Sequence, residues 1–239
     1  MEKAKVGPLK GIELLADLPV DEVSILEQKC NWLCYERNEQ ILDREHDSRD
    51  VFFVVKGRVQ VKNYSFSGRE IALATITEGG YFGELSAVDQ QPRSANVLAA
   101  EHSIVASLSP NYFIELIKRY PSVALRVLNR LAQIVRNCDE RIMDLSTLGA
   151  VQRVYVELLR LAKPDSATPS QWAIHPIPTQ VNVAARASTT RETVARVFSQ
   201  LRKSGLLTRK DRTLYVNDYT GLQSMAERIP HTEGDSVSR

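Results

Sequence analysis

The stretch from residue 122 to residue 148 contains neither glycine nor proline, and it is the feature that most constrains the fold of this chain. Its apolar residues recur at alternating intervals of four and three, which is the repeat of a two-stranded coiled coil. The residues of this apolar seam are Ala124, Leu128, Leu131, Val135, Cys138, Ile142 and Leu145. The pattern predicts one long helix that pairs with the same helix of a second copy. A helix that packs on its own domain is the alternative.

Upstream of this helix, short β-type runs alternate with turn signals from Val51 to Leu108. The runs are VFFVV, RVQVKN and IALATI, and glycine lies in each of the turns that follow them. That spacing predicts an antiparallel sandwich or barrel. After Pro110, the segment NYFIELIKRY predicts a helix that ends at Pro121.

Downstream of the long helix, a second domain begins with the amphipathic helix VQRVYVELLRLA. Residues 179–187 and 190–204 each have the pattern of a helix, and Gly205 is placed to cap the second one. The segment LLTRKDRTLYVN then predicts a hairpin. Two short helices followed by a hairpin predict a winged helix-turn-helix.

Composition and charge narrow the class of protein further. No run of 18 apolar residues exists and no signal peptide is evident, so we expect a cytoplasmic protein without membrane contact. The three cysteines and four histidines show no metal-ligand spacing, so no metal is expected. Between Arg186 and Arg212, eight basic residues outnumber two acidic ones, which indicates an anionic partner for this segment.

The segment from Gly80 to Val97 combines several features that suit a phosphate. Gly83 allows the backbone to approach a ligand, and the sequence Glu84-Leu85-Ser86 would open a short helix whose free amides point at an anion. We name residues 80–97 the cassette. These features favour an anion-binding loop.

Two more cassette residues extend the predicted chemistry. Arg93 offers a planar fork of donors for a phosphodiester, and Ser94 adds a hydroxyl beside it. A carboxylate would repel phosphate, so Glu84 is expected to accept a hydrogen bond from a ribose hydroxyl. The alternative places Gly83 in an ordinary turn, Ser94 in a strand, and Arg93 in an ion pair with Glu84.

Together these residues resemble the phosphate-binding cassette of cyclic-nucleotide-binding domains, and FFVVKGRVQV resembles that family's hairpin. Asn38 stands where the family usually has glycine, and asparagine tolerates positive φ better than most residues. In relatives of the cyclic AMP receptor protein, two adjacent hydroxyl residues of the dimer helix contact the base, and Cys138 and Asp139 occupy those positions here. Asp139 could accept from the amino group of adenine or from the N1 and N2 hydrogens of guanine. Cyclic AMP is the expected ligand, and cyclic GMP remains open.

The predicted helix of residues 190–204 presents a base-reading pattern. Arg191, Glu192 and Arg196 project from one exposed face, while Val194, Val197 and Leu201 face inward. Arginine can bind guanine O6 and N7, and glutamate can accept from cytosine N4. A half-site that contains G·C pairs is therefore expected.

This segment is similar to the recognition helix of the CRP/FNR family of bacterial transcription regulators, which reads palindromic TGTGA-like sites. The resemblance implies phosphate contacts from Thr179 and Thr190. Gln180 replaces the family's usual arginine at an outer contact, and Ser188 replaces the turn glycine.

The resemblance implies an α+β chain: an antiparallel β-roll over residues 1–121, a dimerisation helix over 122–148, a winged helix-turn-helix over 149–228 and a flexible tail over 229–239. It further implies a homodimer that binds double-stranded DNA and RNA polymerase and is not an enzyme. Whether it is an activator or a repressor stays open in the sequence. No haem is expected, because an N-terminal cysteine cluster is absent. The alternatives are a regulator that needs no ligand or a different one, a redox or haem sensor, and a nucleotide-regulated enzyme subunit.

Overall fold

The structure is a computed structural model that describes residues 9–68, 70–165, 168 and 171–227. The chain forms two compact units that divide between Cys138 and Asp139. Among the described residues, no helix is long and apolar enough to cross a bilayer. The predicted flexible tail, residues 229–239, lies outside the described residues.

The first unit contains two antiparallel sheets of four strands each. Its strands are β1 (Asn31–Tyr35), β2 (Gln40–Leu42), β3 (Val51–Lys56), β4 (Arg58–Tyr64), β5 (Glu70–Thr77), β6 (Tyr81–Phe82), β7 (Asn96–Ala99) and β8 (Ser103–Leu108). One sheet has the order β1-β8-β3-β6 and the other β2-β7-β4-β5. This architecture confirms the predicted antiparallel β-roll.

Strand β3 explains why the run VFFVV is apolar throughout. Phe52 and Val54 belong to a core formed by strands of both sheets. Val51 and Phe53 belong to a second core, which the surrounding helices complete. Because successive side chains of a strand point to opposite faces, a strand buried on both faces needs an unbroken apolar run.

Four helices accompany the sheets in the described part of the first unit. They are α1 (Val20–Lys29), α2 (Glu84–Asp89), α3 (Pro110–Arg119) and α4 (Pro121–Thr147). Two short 3₁₀ turns, Leu9–Gly11 and Glu13–Leu15, precede α1. Proline at the first position of α3 and of α4 fits because its missing N–H has no partner in a first turn.

The long helix α4 packs on its own unit near its start, and its pairing with a second copy stays a prediction. Near its start, Val123 and Val127 are buried in the helix-lined core of the first unit. Further along, the apolar seam faces solvent: Leu128 is 59% exposed, Val135 58% and Ile142 60%. Packing on its own unit extends to Leu131 of the seam, which is partly buried against the same core. Beyond Leu131, the seam residues are exposed among the described residues.

The second unit is a winged helix-turn-helix, as the sequence predicts. Its helices are α5 (Ala150–Leu161), α6 (Gln180–Arg186), α7 (Arg191–Lys203) and α8 (Tyr219–Glu227). Its strands are β9 (Lys163–Pro164), β10 (Trp172–Ile174), β11 (Leu207–Lys210) and β12 (Thr213–Val216), in the sheet order β11-β12-β10-β9. The hairpin β11–β12 is the wing.

One apolar core holds the second unit together. Leu158 of α5, Val183 of α6 and Leu201 of α7 are fully buried in it, and Leu214 brings the wing into the same core. The intervals between buried residues of α7 follow the helical period, so the opposite face of this helix is left to solvent.

Candidate functional site

Gly83 lies at the start of α2 in a backbone conformation that favours glycine. Its φ is +85°, and a Cβ at this position would lie 2.7 Å from Arg93 Nη1 and 2.8 Å from the Asp50 carbonyl oxygen. No side chain fits between those atoms. Arg93 and the Asp50 backbone therefore pack closely against Gly83. An ordinary turn would need the positive φ of glycine but not this close packing.

Arg93 is buried, with 3% of its surface exposed. Nε donates to Ser48 Oγ at 3.1 Å, Nη1 to the Gly83 carbonyl at 2.9 Å and Nη2 to the Asp50 carbonyl at 2.7 Å. Burial lowers the pKa of the guanidinium, and the nearby carboxylates of Asp50 and Glu84 oppose that shift. Since a guanidinium has five N–H donors, each terminal nitrogen keeps one for a ligand.

Glu84 is also buried, and its ion-pair partner is Arg130 of the long helix, with 3.7 Å between Oε1 and Nε. Arg130 Nη2 donates to the Tyr81 carbonyl at 2.7 Å, and its guanidinium carbon lies 4.5 Å from the centre of the Tyr81 ring. The alternative pairing of Glu84 with Arg93 is thus not the one observed. Sequence reasoning did not assign a site role to Arg130, because nothing local links it to Glu84.

Two buried polar atoms beside Glu84 have no hydrogen-bond partner in the part of the chain that the structure describes. They are the Tyr81 hydroxyl oxygen and Arg130 Nε. Burial raises the pKa of the Tyr81 hydroxyl, and Arg130 partly opposes this shift. A buried polar atom that lacks a partner is costly, so these atoms mark a place where a ligand or water would be stabilised.

The other cassette residues divide between structural and exposed positions. Ser86 is buried and donates to the Pro92 carbonyl at 3.4 Å, so its hydroxyl holds the loop in shape. Leu85 is 36% exposed. Ser94 is exposed next to Arg93, and its backbone carbonyl accepts from Asn63 Nδ2 at 3.1 Å. Outside the cassette, Asn38 has a φ of +69°. This positive φ explains why the family usually has glycine at that position.

Cys138 and Asp139 lie on α4, where the two units divide. Both residues are exposed, and Cys138 is a free thiol. They are therefore accessible to a ligand or to a second helix, and their predicted contact with a base stays a prediction.

The recognition face of α7 has the exposure that the sequence predicts. Arg191, Glu192 and Arg196 are exposed. Val194, Val197 and Leu201, on the opposite face, are at most 1% exposed. The pKa of Glu192 is lowered by its own backbone N–H, by the Thr190 hydroxyl and by the neighbouring Arg191. The carboxylate is therefore kept ionised and can act only as a hydrogen-bond acceptor.

Thr179 and Thr190 are the N-caps of α6 and α7. Thr179 Oγ1 accepts from the Asn182 amide at 3.2 Å, and Thr190 Oγ1 accepts from the Thr193 amide at 3.3 Å. The Thr179 hydroxyl still has its own hydrogen to donate to a phosphate, whereas the Thr190 hydroxyl also contacts the Glu192 carboxylate and Thr193 Oγ1, so its phosphate contact stays a prediction. Gln180, at the first position of α6, is half-buried.

Two arginines that sequence reasoning missed brace the turn between α6 and α7. Ser188 has a φ of +49°, where the family usually places glycine. Arg153 donates to the Ala187 carbonyl at 2.9 Å and to the Ser188 carbonyl at 3.1 Å, and Arg141 donates to Ser188 Oγ at 3.2 Å. These bonds fix the turn that sets the angle between the two helices.

The architecture and the two groups of residues define a regulator with a ligand-binding β-roll and a DNA-binding helix-turn-helix. Comparison with known families agrees: the cyclic nucleotide-binding domain matches residues 32–120, and the Crp-like helix-turn-helix domain matches residues 152–225. The chain belongs to the CRP/FNR family of transcription regulators. It is accordingly a cyclic-nucleotide-binding regulator with a DNA-binding domain.

Individual relatives share most of their length with this chain. The cyclic AMP receptor protein of Thermus thermophilus is 29% identical over 218 residues, which cover 91% of this chain and 98% of that protein. The structure of a CooA mutant from Carboxydothermus hydrogenoformans aligns with a TM-score of 0.75 at 19% identity, covering 94% and 98% of the two chains. The c-di-GMP responsive regulator CLP of Xanthomonas campestris aligns with a TM-score of 0.65 at 18% identity, covering 79% and 94%. The last two likenesses concern the fold alone.

Proposed function

We propose that this protein is a homodimeric transcription activator that binds cyclic AMP and reads a palindromic TGTGA-like DNA site. The observation that carries the proposal is the closed arrangement of Gly83, Glu84 and Arg93, in which a buried carboxylate and a buried guanidinium lie at one short loop. A ribose hydroxyl can donate to the carboxylate, and a phosphodiester can accept from the guanidinium, so the two groups suit a sugar linked to a phosphate. No step of bond making or breaking is involved, and we propose no enzymatic role.

A cyclic nucleotide supplies a phosphodiester anion and a ribose hydroxyl. The remaining N–H groups of Arg93 and the exposed hydroxyl of Ser94 would hold the phosphodiester. Glu84 would accept from the ribose hydroxyl. The Tyr81 hydroxyl and Arg130 Nε, which lack partners among the described residues, support a ligand that carries hydroxyl groups.

The base would be recognised by Cys138 and Asp139. A carboxylate is a strong acceptor and could bind the adenine amino group, whereas a thiol is a weak one. Cyclic AMP is favoured because the Thermus relative is a cyclic AMP receptor protein. Cyclic GMP is the second candidate, because Asp139 could equally accept from the N1 and N2 hydrogens of guanine.

A homodimer through residues 122–148 is supported by the exposed part of the apolar seam. Leu128, Val135 and Ile142 are each more than half exposed at heptad spacing, and a second copy of the helix would cover them. In this division of the chain, residues 1–121 bind the nucleotide and residues 149–228 bind DNA. RNA polymerase is the proposed further partner.

Arg191, Glu192 and Arg196 would read G·C pairs in the major groove, with Thr179, Gln180 and Thr190 near the phosphates. The two recognition helices of a dimer would enter successive grooves about 34 Å apart. Nucleotide binding would act by selective affinity for the conformation that fits the palindrome.

A DNA-binding assay tests the proposal. A labelled duplex with two TGTGA half-sites is titrated with the protein, alone and with cyclic AMP or cyclic GMP. We expect cyclic AMP to raise DNA affinity about tenfold or more and cyclic GMP to raise it less. Calorimetry with each nucleotide separately measures which purine is preferred.

Ser94→Ala is the matched variant for this assay, because Ser94 is exposed and the substitution leaves the fold intact. It should reduce nucleotide affinity while leaving DNA binding without nucleotide unchanged. If neither nucleotide alters DNA affinity, the proposed switch is wrong, and a regulator that uses another ligand or none replaces it.

A further inference from the structure

A cavity of about 240 Å³ lies in the second unit, between the start of α6, the second half of α7 and the wing. We name it the wing cavity. Its floor consists of Phe198, Leu207 and Leu214, which are 7%, 2% and 3% exposed, and Ile177 and Pro178 form one wall. The lining is thus mainly apolar. The apolar seam and the cassette contribute no residue to it.

Two arginines give this apolar recess a positive charge. Arg202 and Arg209 line it, and both are exposed. Arg202 Nε donates to the Phe198 carbonyl at 3.2 Å, and Arg209 Nε donates to the Asp211 carbonyl at 3.3 Å. Within the described ranges, no carboxylate forms an ion pair with either guanidinium. Their terminal nitrogens are available to an anion.

We infer that the wing cavity binds a small organic anion with an apolar body, such as an aromatic or short-chain carboxylate. The apolar floor would cover the body of the ligand, and the two guanidinium groups would hold its carboxylate by charge-assisted hydrogen bonds. The volume lies just below the range of about 300–1,000 Å³ that is typical of drug-sized ligands, so the ligand must be small, with about ten non-hydrogen atoms or fewer. Charge complementarity and shape thus select the same class of ligand.

A phosphate of the DNA backbone is the competing occupant, and the lining argues against it. A phosphodiester is polar on all exposed sides and gains nothing from a floor of phenylalanine and leucine. The ligand would nevertheless affect DNA binding. Thr179 and Gln180 also line the cavity, so an occupant would lie beside two proposed phosphate contacts. This site is independent of the cyclic nucleotide, and its anion would weaken DNA binding.

Benzoate is the probe for the test, and benzamide is its neutral control of the same shape. Amide signals of the full-length, isotope-labelled protein are followed by NMR as each compound is added. We expect benzoate to shift the signals of the cavity residues saturably and benzamide to bind about tenfold more weakly or not at all. The DNA affinity should fall in benzoate relative to sodium chloride of equal ionic strength.

Arg202→Gln and Arg209→Gln should each weaken benzoate binding about tenfold without changing the thermal unfolding temperature. Arg212→Gln is the matched control, because it removes the same charge from the same wing at a residue outside the lining. It should leave benzoate binding unchanged.

Three results would overturn the inference. The first is the absence of a saturable shift, and the second is equal binding of benzoate and benzamide. The third is binding of diethyl phosphate at the same residues in the absence of benzoate binding, which would assign the cavity to the DNA backbone. None of these results bears on the nucleotide assay, so the two proposals fail separately.

Discussion

The cassette of the first unit and the recognition face of the second both use arginine, in opposite surroundings. Arg93 is 3% exposed and donates to three oxygen atoms of its own chain. Arg196 lies on the exposed face of α7, opposite the buried Val194 and Val197. The first arginine is part of the fold before any ligand arrives, whereas the second contributes little to the fold.

This difference follows from the size of the two ligands. A cyclic nucleotide is small and must be enclosed, so its proposed contacts are held in place by buried hydrogen bonds. A DNA duplex is larger than the domain that reads it, so its contacts must stand on an exposed face. Substitutions of the buried cassette residues should therefore affect stability, and substitutions on the exposed face of α7 should affect only binding.

Two of the three cysteines, Cys30 and Cys138, show the same contrast in their surroundings. Burial, together with Glu27, raises the pKa of the Cys30 thiol from 9.0 to about 12, whereas Cys138 is exposed on the long helix. At neutral pH the thiolate of Cys30 should be about a thousandfold less abundant than that of an ordinary thiol. Alkylation followed by mass spectrometry should leave Cys30 unmodified until the protein unfolds, and it should modify Cys138 rapidly wherever the seam is not paired with a second copy.

Cys138 also reports on the proposed dimer, because it lies in the apolar seam. Two copies paired along the seam would bring their Cys138 residues close enough for a disulfide. Mild oxidation should then give a covalent dimer on a non-reducing gel. The variant Cys138→Ser should give none, and Cys34→Ser should behave as wild type. If Cys138 is readily alkylated and never crosslinks, the seam is not the dimer axis.

Arg93→Ala should destabilise the first unit by about 3 kcal/mol, because it removes three hydrogen bonds and leaves buried carbonyl groups unpaired. Urea unfolding followed by fluorescence measures this loss. In a Trp172→Phe background, Trp32 of β1 is the remaining tryptophan and reports on the first unit alone. Arg196→Ala, in the same background, should leave the curve unchanged. If both variants were as stable as the wild type, the two sites would not differ in their contribution to the stability of the fold.

Local signals in the sequence were sufficient for much of this architecture. The alternation of short β-type runs with turn signals predicted the antiparallel strands, and the period of α7 predicted which residues face inward. Glycine at position 83 predicted a close approach of the backbone, whereas the capping of α6 and α7 by Thr179 and Thr190 was not predicted and emerged from the structure. The predicted features need no knowledge of the tertiary fold.

The contacts that the sequence did not reveal all join distant segments. Arg130 lies beside Glu84, although 46 positions separate them. Arg153 reaches the turn at Ser188, 35 positions away. An arginine on a helix surface has the same local pattern whether it faces water or a buried carboxylate, so periodicity cannot distinguish the two cases. The burial of Val123 and Val127 was likewise hidden by the stronger repeat of the seam.

Arg196→Ala should cost about 1–3 kcal/mol in binding to a specific site. The reason is the loss of two hydrogen bonds to one guanine, which random DNA does not offer at that position. Anisotropy titrations with a TGTGA palindrome and with a scrambled duplex measure the two affinities. Lys203→Ala, at the end of the same helix, is the control for a simple loss of charge. A loss of equal size on both duplexes would mean that Arg196 contacts only the backbone.

The smallest effect expected is that of pH on the proposed contact between Glu192 and cytosine. Its pKa is lowered in the folded protein, so its carboxylate is present at neutral pH and is lost only as the pH falls below the ordinary range of glutamate. The penalty for replacing the cytosine it reads should therefore be the same at about pH 7.5 and about pH 5.5. Glu192→Ala should abolish that penalty at both values. A penalty that declines toward about pH 5.5 in the wild type would show that Glu192 takes up a proton at the interface. Burial under DNA would then have changed the protonation of a residue that is exposed in the free protein.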